Sequence, residues 1–386
     1  MLPNKKVIIA GCGLSGMITA LAFAKCNIPS VIIEHRSASE KDFFSDIRTT
    51  ALTAHSKNFF ENVGVWEELS KFAGNFNDIY VADNSSSDMI HLSSSTLSDS
   101  KKMGYLLQNE DFKKCLFSLT SSSDKIKIID STKYEVIQNT ELGCDIKLGN
   151  GGEYHADLLI ACDGRSSKIK SRYFSSDVEK SYDQHAITFL VHHEKKHEGT
   201  AVEHFMPSGP FAILPLLDDN ISSVVWTIKS EQKDVMMNLS EEEFLHLVQQ
   251  NFGEFLGKIT IKSEVAAFPL KAYSTKKYYN KRVALIADTA HIVHPLAGQG
   301  LNQGIKDIEI LSKLIHEYGI NDYALGEYES LRKPDNNDMF ELTDAINTVF
   351  SNDSKMLYAV RQIGFNVIEN FAPLKDMLRE YAMGRR

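Results

Sequence analysis

The chain has 386 residues, enough for two to three domains and a sizeable core. Hydrophobic residues make up 43% and charged residues 24%, with 42 basic against 51 acidic side chains and a formal charge of −9. That composition excludes a disordered tail protein, a collagen and a disulfide-stapled miniprotein. Net acidity argues against a partner in nucleic acid, because phosphate binding draws on clustered Lys and Arg.

Five scattered cysteines (Cys12, Cys26, Cys115, Cys144, Cys162) contain no C-x-x-C pair, which argues for a reducing compartment and against structural zinc. No apolar run reaches the ~18 residues that a spanning helix requires. An apolar strand follows Met1 within a few residues, so a cytoplasmic protein without a leader peptide is expected.

The first 35 residues read as one βαβ unit. Val7 to Ala10 is fully apolar, as in a buried parallel strand. Gly11-Cys12-Gly13-Leu14-Ser15-Gly16 follows, then an Ala-rich helix from Met17 to Cys26 and a second apolar strand from Ser30 to Glu34. In this context G-x-G-x-x-G is a dinucleotide fingerprint. Gly11 permits the tight turn, Gly13 lets backbone approach a pyrophosphate, and Gly16 lets helix and strand pack closely. The helix N-terminus offers unpaired N–H groups and positive partial charge to the diphosphate, with Leu14 and Ser15 at its start. Glu34 is placed to accept hydrogen bonds from ribose hydroxyls, with His35 beside it. At this point NAD and FAD both remain open.

Residues 49–72 read as helical, with Leu52, Phe59, Phe60, Val63 and Leu69 on one side. The serine-rich stretch 84–100 reads as a solvent-facing hairpin or loop. Lys133 to His155 has the turn spacing of an antiparallel meander, and Asp157 to Cys162 is another apolar strand running into Asp163-Gly164. From about 185 to 280 strand-like pieces surround one helix near Glu241–Gln250, the texture of a mostly antiparallel second domain. His192-His193 and His197 fall there in a Lys/Glu-rich stretch expected to be an exposed hairpin. At Arg282 the α/β texture resumes, with a strand from Val283 to Ala287 and a helix from Gly300 to His316. Beyond about 321 the chain is expected to be helical throughout.

Two segments then point to a flavin. One is Ala161-Cys162-Asp163-Gly164-Arg165-Ser166-Ser167-Lys168-Ile169-Lys170. The other is Ala287-Asp288-Thr289-Ala290-His291-Ile292-Val293-His294-Pro295-Leu296-Ala297-Gly298-Gln299-Gly300-Leu301-Asn302 and its continuation to Asp307. With the fingerprint they resemble a group A flavoprotein monooxygenase, and within that class the ubiquinone-biosynthesis aromatic hydroxylase family. The resemblance implies an α/β fold: a Rossmann-type FAD-binding domain with an inserted, mostly antiparallel β-sheet substrate domain and a helical C-terminal tail. The domains expected are FAD-binding 1–72, 101–180 and 281–330, substrate-binding 73–100 and 181–280, and a C-terminal helical region 331–386.

The resemblance also implies roles. Asp288 would accept hydrogen bonds from the ribityl hydroxyls, Gly298 and Gly300 would let backbone approach the flat ring, and the helix after them would aim its positive end at the flavin pyrimidine edge. Pro295 would face the reactive side of the ring, with Leu301 and Asn302 along it. Asp163 and Gly164 would serve both FAD and the nicotinamide cofactor. Arg48 would reach the pyrophosphate or ring edge, and Gln108 would lie against the ribityl chain. Two positions depart from the family pattern: Ala287 replaces the usual Gly, and Lys170 replaces the usual Arg, keeping charge but losing the bidentate fork.

The activity implied is hydroxylation of an aromatic ring: NAD(P)H reduces FAD, O₂ adds at flavin C4a, and the hydroperoxide transfers an electrophilic OH. The stretch Phe205–Leu216 reads as a wall of an apolar substrate pocket, which suits a prenylated phenol, and reads nearly as well as strand core. His204, His291 and His294 could each help deprotonate a phenol and nothing in the sequence selects one; His294 is carried with Pro295 as the catalytic candidate. His291-x-x-His294 lacks further ligands at zinc spacing, so no metal is expected. Met356, Val360, Ile363, Val367 and Phe371 share a helical face, which suits packing on the first domain or on a second copy of the chain. The sharper alternative is a peripheral contact at the inner membrane or within a biosynthetic complex. Two other functions fit less well: hydroxylation of a soluble aromatic acid, which needs a charged clamp, and a non-catalytic flavoprotein scaffold.

Overall fold

Short apolar strands build the first sheet, because four-residue runs such as Val7–Ala10 and Leu158–Ala161 are buried on both faces. We describe residues 6–83, 89–95, 102–352 and 354–384 of a computed structural model of the chain. The sheet runs Tyr279–Asn280, Val283–Leu285, Leu158–Ala161, Val7–Ala10, Ser30–Ile33, Ile126–Ile129. All neighbours are parallel except the first two strands. Ile8 stands between Leu159 and Val31. Three helices, Leu14–Lys25, Asn109–Ser121 and Gln299–Tyr318, pack into the same core. The first is buried from Gly16 to Phe23 without interruption, which explains its apolar, unstriped sequence.

The chain leaves this sheet and returns to it, as the texture change at 185 and 282 predicts. The meander lies over Tyr134–Asn139, Cys144–Leu148 and Glu153–Ala156. A larger nine-stranded sheet has as its spine the 18-residue strand Ser176–His193. That strand pairs antiparallel with Ile221–Lys229, Ile259–Ile261 and Ala266–Thr275. Beyond Ile221–Lys229 come Gly209–Pro215, Thr200–Met206, Asp78–Asp83 and Met89–Ser93; the pairing of Thr200–Met206 with Asp78–Asp83 is parallel. Within the serine-rich stretch, Met89–Ser93 is thus a strand of a hairpin, while 84–88 and 96–101 lie outside the described residues.

Side-chain alternation gives this sheet two different faces. Phe189, Phe211, Ile213, Val224 and Trp226 pack with Phe244, Val248 and Phe252 of the helix Glu241–Phe252. That helix opens on a capping box between Ser240 and Glu243. The opposite face looks toward the first sheet and the C-terminal helices. The stretch Phe205–Leu216 is therefore both wall and core, residue by residue.

Three expectations are corrected. Residues 49–53 are a strand, not helix: Thr49–Thr53 pairs with Gly104–Gln108 in a small sheet completed by Gly74–Phe76. The three threonines of that segment suit a pleated surface; the helix begins at Ala54, with Thr53 capping the Ser56 amide, and stops at Gly64 in the left-handed region (φ 88°). His193 and His197 are buried rather than exposed, because His193 bridges the Lys195 carbonyl and Ser222, and His197 bonds the Asp218 carbonyl. In the tail, helices span Asp322–Phe350, Lys355–Asn370 and Ala372–Ala382. Of the predicted stripe, Val367 and Phe371 face outward (49% and 56% exposed), while Phe365 and Met383 pack inward beneath the large sheet. The side chains of Met356, Val360 and Ile363 lie outside the described residues. Among the described residues, no helix is long and apolar enough to cross a membrane.

Candidate active site

Two helices present bare N-termini to one groove at the strand ends. The helix Leu14–Lys25 starts at Gly13 with neither a side-chain cap nor an acidic residue in its first turn, and the helix Gln299–Tyr318 starts at Gly298 (φ 63°) in the same way. Their amides and dipoles are available to an anion. Gly11 sits at φ 102°, where a Cβ would lie 2.7 Å from the Cys162 carbonyl oxygen, so only glycine fits. A Cβ on Gly13 would meet nothing within 4 Å; its surroundings are open, as an approaching pyrophosphate requires. Leu14, Ser15 and Gly16 follow in the first helical turn.

Glu34 ends the next strand and is nearly buried. Its Oε2 accepts the Cys12 amide at 2.8 Å, tying it to the glycine turn, and its Oε1 accepts the Arg36 amide at 2.9 Å. Oε2, with that one partner, retains a lone pair for a ribose hydroxyl. His35 is exposed, with Nδ1 2.8 Å from Glu34 Oε1.

The second and third segments meet each other. The Gly164 amide donates to Thr289 Oγ1 at 3.0 Å, joining the Asp163-Gly164 turn to the turn at Asp288. Asp163 accepts Tyr134 OH at 3.0 Å on Oδ2, while its buried Oδ1 has no hydrogen-bond partner among the described residues. Burial raises the Asp163 carboxyl and the Tyr134 hydroxyl alike. A buried acceptor without a donor is costly, and here it lies beside the fingerprint turn, where a ligand hydroxyl would satisfy it. Asp288 is exposed to the groove, and Tyr273 OH donates to its carbonyl. Lys170 Nζ lies 3.6 Å from the centre of the Tyr273 ring and donates to the Arg165 carbonyl.

Arg48 and Gln108 sit side by side, since Thr49 pairs with Gln108 and the Asn109 amide donates to the Arg48 carbonyl. The Arg48 guanidinium grips Asp46 with two bonds of 2.8 and 2.7 Å, packs 5.4 Å over the Phe268 ring, and feels the charge of Asp288. It therefore stands where the groove meets the large sheet. Arg48 and a lysine, Lys113, hold the Asp46 carboxyl well below the usual range despite its burial. Thr49 Oγ1 and Ser223 Oγ, 2.9 Å apart, stitch the two sheets together beside it.

Pro295 is exposed at the start of the turn Leu296–Gly298, and Gly300 and Leu301 are half-buried in the first turn of the helix after it. Two residues are placed differently from expectation. The Asn302 side chain is spent within the protein: it accepts from the Thr53 amide and Ser56 Oγ and donates to the Ala51 and Gly298 carbonyls. It shapes the loop, and only its backbone remains for a cofactor. His294 is fully enclosed, edge-on to Tyr182 at 4.7 Å and 3.4 Å from Gln184 Oε1, and burial lowers its pKa to about 4. A weak base with no opening to the groove is a poor proton acceptor for substrate. His291 is likewise committed, 2.6 Å from the fully buried Asp307.

Sequence reasoning missed Asp307 and Glu203. Asp307 gathers Ala287, His291, Arg332 and Asn336; only its position late in the third segment hinted at it. Glu203 is the lone carboxylate of an otherwise apolar strand face, and the period-two pattern Ala201, Glu203, Phe205 was the available signal. Among the described residues no group of three or more His, Cys, Asp or Glu gathers to hold a metal.

Fold and groove define a flavin-dependent oxidoreductase, in which the open glycine turn, the orphaned Asp163 oxygen and the two bare helix ends fit FAD. The FAD binding domain family matches residues 4–343. Ubiquinone hydroxylase UbiL of Rhodospirillum rubrum is 31% identical over 385 residues, covering 98% of this chain and 89% of its own. Ubiquinone hydroxylase UbiM of Neisseria meningitidis is 25% identical, over 99% of this chain and 85% of its own. Among solved structures, p-nitrophenol 4-monooxygenase PnpA of Pseudomonas putida superposes with a TM-score of 0.80 at 17% identity, covering 99% of this chain and 100% of that one. HpxO of Klebsiella pneumoniae, complexed with FAD and uric acid, gives 0.77 at 12% identity, covering 100% and 97%. The chain belongs to the FAD-binding family of group A flavoprotein monooxygenases, in the branch that contains the ubiquinone hydroxylases. It is an FAD-dependent aromatic hydroxylase that uses NAD(P)H.

Proposed function

We propose that the protein hydroxylates the aromatic ring of a prenylated phenol in ubiquinone biosynthesis. The observation that carries this reading is the pairing of the groove with one face of the large sheet, where Ala212, Leu214, Val225 and Phe268 are apolar and where Thr49–Ser223 and Arg48–Phe268 bring the two sheets together. Among the described residues no free cationic clamp for a soluble aromatic acid stands there, since Arg48 is held by Asp46. The names of the UbiL and UbiM relatives support the same substrate class.

Bound FAD, once reduced by NAD(P)H, would supply the activated oxygen. The chain's own residues would do the rest. The fingerprint amides and Glu34 would hold the diphosphate and ribose, and Asp163 and Asp288 the ribityl side. Gly298 to Leu301 would line the ring, and Pro295 would shield its reactive side from water. Lys170, over the Tyr273 ring, would meet the nicotinamide cofactor. The outward Val367, Phe371 and Met377 would give the tail a contact with the bilayer in which a prenylated substrate dissolves.

Purified protein reconstituted with FAD should oxidise NAD(P)H faster when a 2-prenylphenol is added and should release a hydroxylated product seen by mass spectrometry. Stimulation by soluble aromatic acids instead, or turnover to peroxide alone, overturns the reading. Liposome co-sedimentation that is unchanged by Phe371→Ser with Val367→Ser would dismiss the membrane contact.

A further inference from the structure

The proposed hydroxylation needs a group that takes a proton from the phenol, and the three histidines visible in the sequence do not supply it. His291 is spent on Asp307 and His294 is enclosed. His204 lies on the other face of its strand, toward the backbone at Asn251. Glu203 is on the correct face. It shares that face with Ala201 and Phe205, and both place it: Ala201 packs with Leu214 and Phe365, and Phe205 stacks on Phe350 at 4.1 Å. Across the sheet one row of opposed residues runs Val81, Glu203, Ala212, Val225, Thr188. Ala212 and Val225, the next two residues in the row, carry short apolar side chains.

The adjacent row reaches the flavin side, because Ser223, two residues from Val225 on the same strand, bonds Thr49. Two strand spacings separate the strand of Glu203 from that of Ser223, roughly 10 Å, which is room for one aromatic ring between the carboxylate and the flavin side. At the far end of the row Thr188 Oγ1 is buried with no hydrogen-bond partner among the described residues. Among the described residues Glu203 has no hydrogen-bond partner, and a half-buried carboxylate without a donor costs stability. Such a group is retained for what it binds.

We propose that Glu203 is the catalytic acceptor of the substrate's phenolic hydrogen. Resting on the hydroxylase reading above, the step is a proton transfer: the phenol O–H bond breaks, its electron pair stays on oxygen, and a new O–H bond forms on Glu203 Oε. The phenolate enriches the ortho and para ring carbons for attack by the electrophilic oxygen. The proton of the attacked ring carbon passes to the second oxygen atom of O₂, which ends as water, and Glu203 returns its own proton to the product oxygen. Burial, with no charged neighbour contributing, pushes the Glu203 carboxyl up to about 7. That brings it closer to a phenol near 10 and makes it a stronger base than an ordinary carboxylate. Charged groups on the elements packed against this face are paired elsewhere: Asp83 with Arg361 at 2.9 Å, while it also accepts from the Gln362 amide, and Arg48 with Asp46.

The test uses the FAD holoenzyme, 2-prenylphenol and its methyl ether, which has no proton to give. Binding is read from the perturbation of flavin absorbance, and product by mass spectrometry. Wild type should bind the phenol at least tenfold more tightly than the ether, and its kcat/KM should rise with pH through an apparent pKa near 7. Glu203→Gln should erase the preference and the pH limb and lower hydroxylation about 10²–10⁴-fold with FAD content unchanged. Glu203→Asp should recover part of the rate. Glu203→Leu should abolish the preference while raising Tm, which a structural role would not do. Wild-type hydroxylation, preference and pH profile in Glu203→Gln overturn the proposal. A Glu203-dependent preference without hydroxylated product from wild type would refute the hydroxylase reading and leave Glu203 as the phenol acceptor.

Discussion

The backbone amide of Ala287 donates to Asp307 Oδ2 at 3.0 Å, and Ala287 stands in the left-handed region at φ 51°. An L-residue there costs about 1–2 kcal/mol, and the cost falls on the residue directly before Asp288. Asp307 is fully buried and its remaining capacity is filled by His291 at 2.6 Å, Arg332 at 2.8 Å and Asn336 at 3.1 Å. Arg332 is itself braced by Gln303 and Asp335. One carboxylate therefore holds the strained turn, and through it the groove-facing Asp288, against the long C-terminal helix Asp322–Phe350.

Asp307→Asn should strip this network of its charge and leave Arg332 buried and underpaired. Removing one partner of a buried pair typically costs about 3–5 kcal/mol. His291 and Arg332 hold the Asp307 carboxyl far below the usual carboxylate range. Because the folded value is depressed, its stabilisation is fully present above about pH 4 and is lost as pH falls toward the folded value. Urea denaturation across pH should show a lower plateau and a flatter acid limb in the variant.

A Cβ on Gly304 would come within 2.6 Å of the Ala287 Cβ. Gly304→Ala should therefore destabilise by about 1–3 kcal/mol. Ala287→Gly removes both the clash and the left-handed strain, so the double variant should regain most of the loss. A double-mutant cycle by thermal denaturation should give a coupling of about 1 kcal/mol or more; additivity would show that the two do not touch.

Gly13→Val distinguishes a cofactor turn from a merely structural one. Apart from its chain neighbours and its own helix backbone, no described atom lies within 4 Å of the added Cβ, so the apoprotein should keep its unfolding free energy in urea to within about 0.5 kcal/mol. FAD binding, followed by fluorescence quenching, should fall at least tenfold, because the side chain would occupy the approach of the diphosphate.

His294 is held neutral by burial, with its pKa lowered to about 4. The unfolded chain takes up this proton near pH 6.5 and the folded chain does not. Its contribution therefore weakens as pH falls from about 6.5 to about 4, by up to roughly 3 kcal/mol, and is constant below. His294→Phe should remove that slope. The Gln184 carbonyl oxygen that it faces keeps the Asn347 amide at 3.2 Å.

The glycine fingerprint, the strand before it and the acid ending the next strand were legible because each rests on local sterics and short-range periodicity. So were the return of the chain at Val283 and the helix after Gly300. Thr49–Thr53 was not: its neighbours Leu52, Phe59 and Phe60 fit a helical stripe, and only pairing with Gly104–Gln108 makes it a strand. His193 and His197 sit in charged sequence yet are buried by Ser222 and the Asp218 carbonyl. Asn302 and His294 lay in the right segment, and their side chains were claimed by Thr53, Ser56 and Tyr182 instead.

The sequence alone thus determined that a diphosphate-binding βαβ turn and a flavin segment share one chain, because glycine geometry and hydrophobic period are written residue by residue. Only the tertiary structure decided which side chains remain available for chemistry. Whether Glu203 is bare, Asp307 saturated or His294 sealed depends on strands and helices far apart in sequence, and burial with its hydrogen-bond partners is a property of their packing rather than of any local pattern.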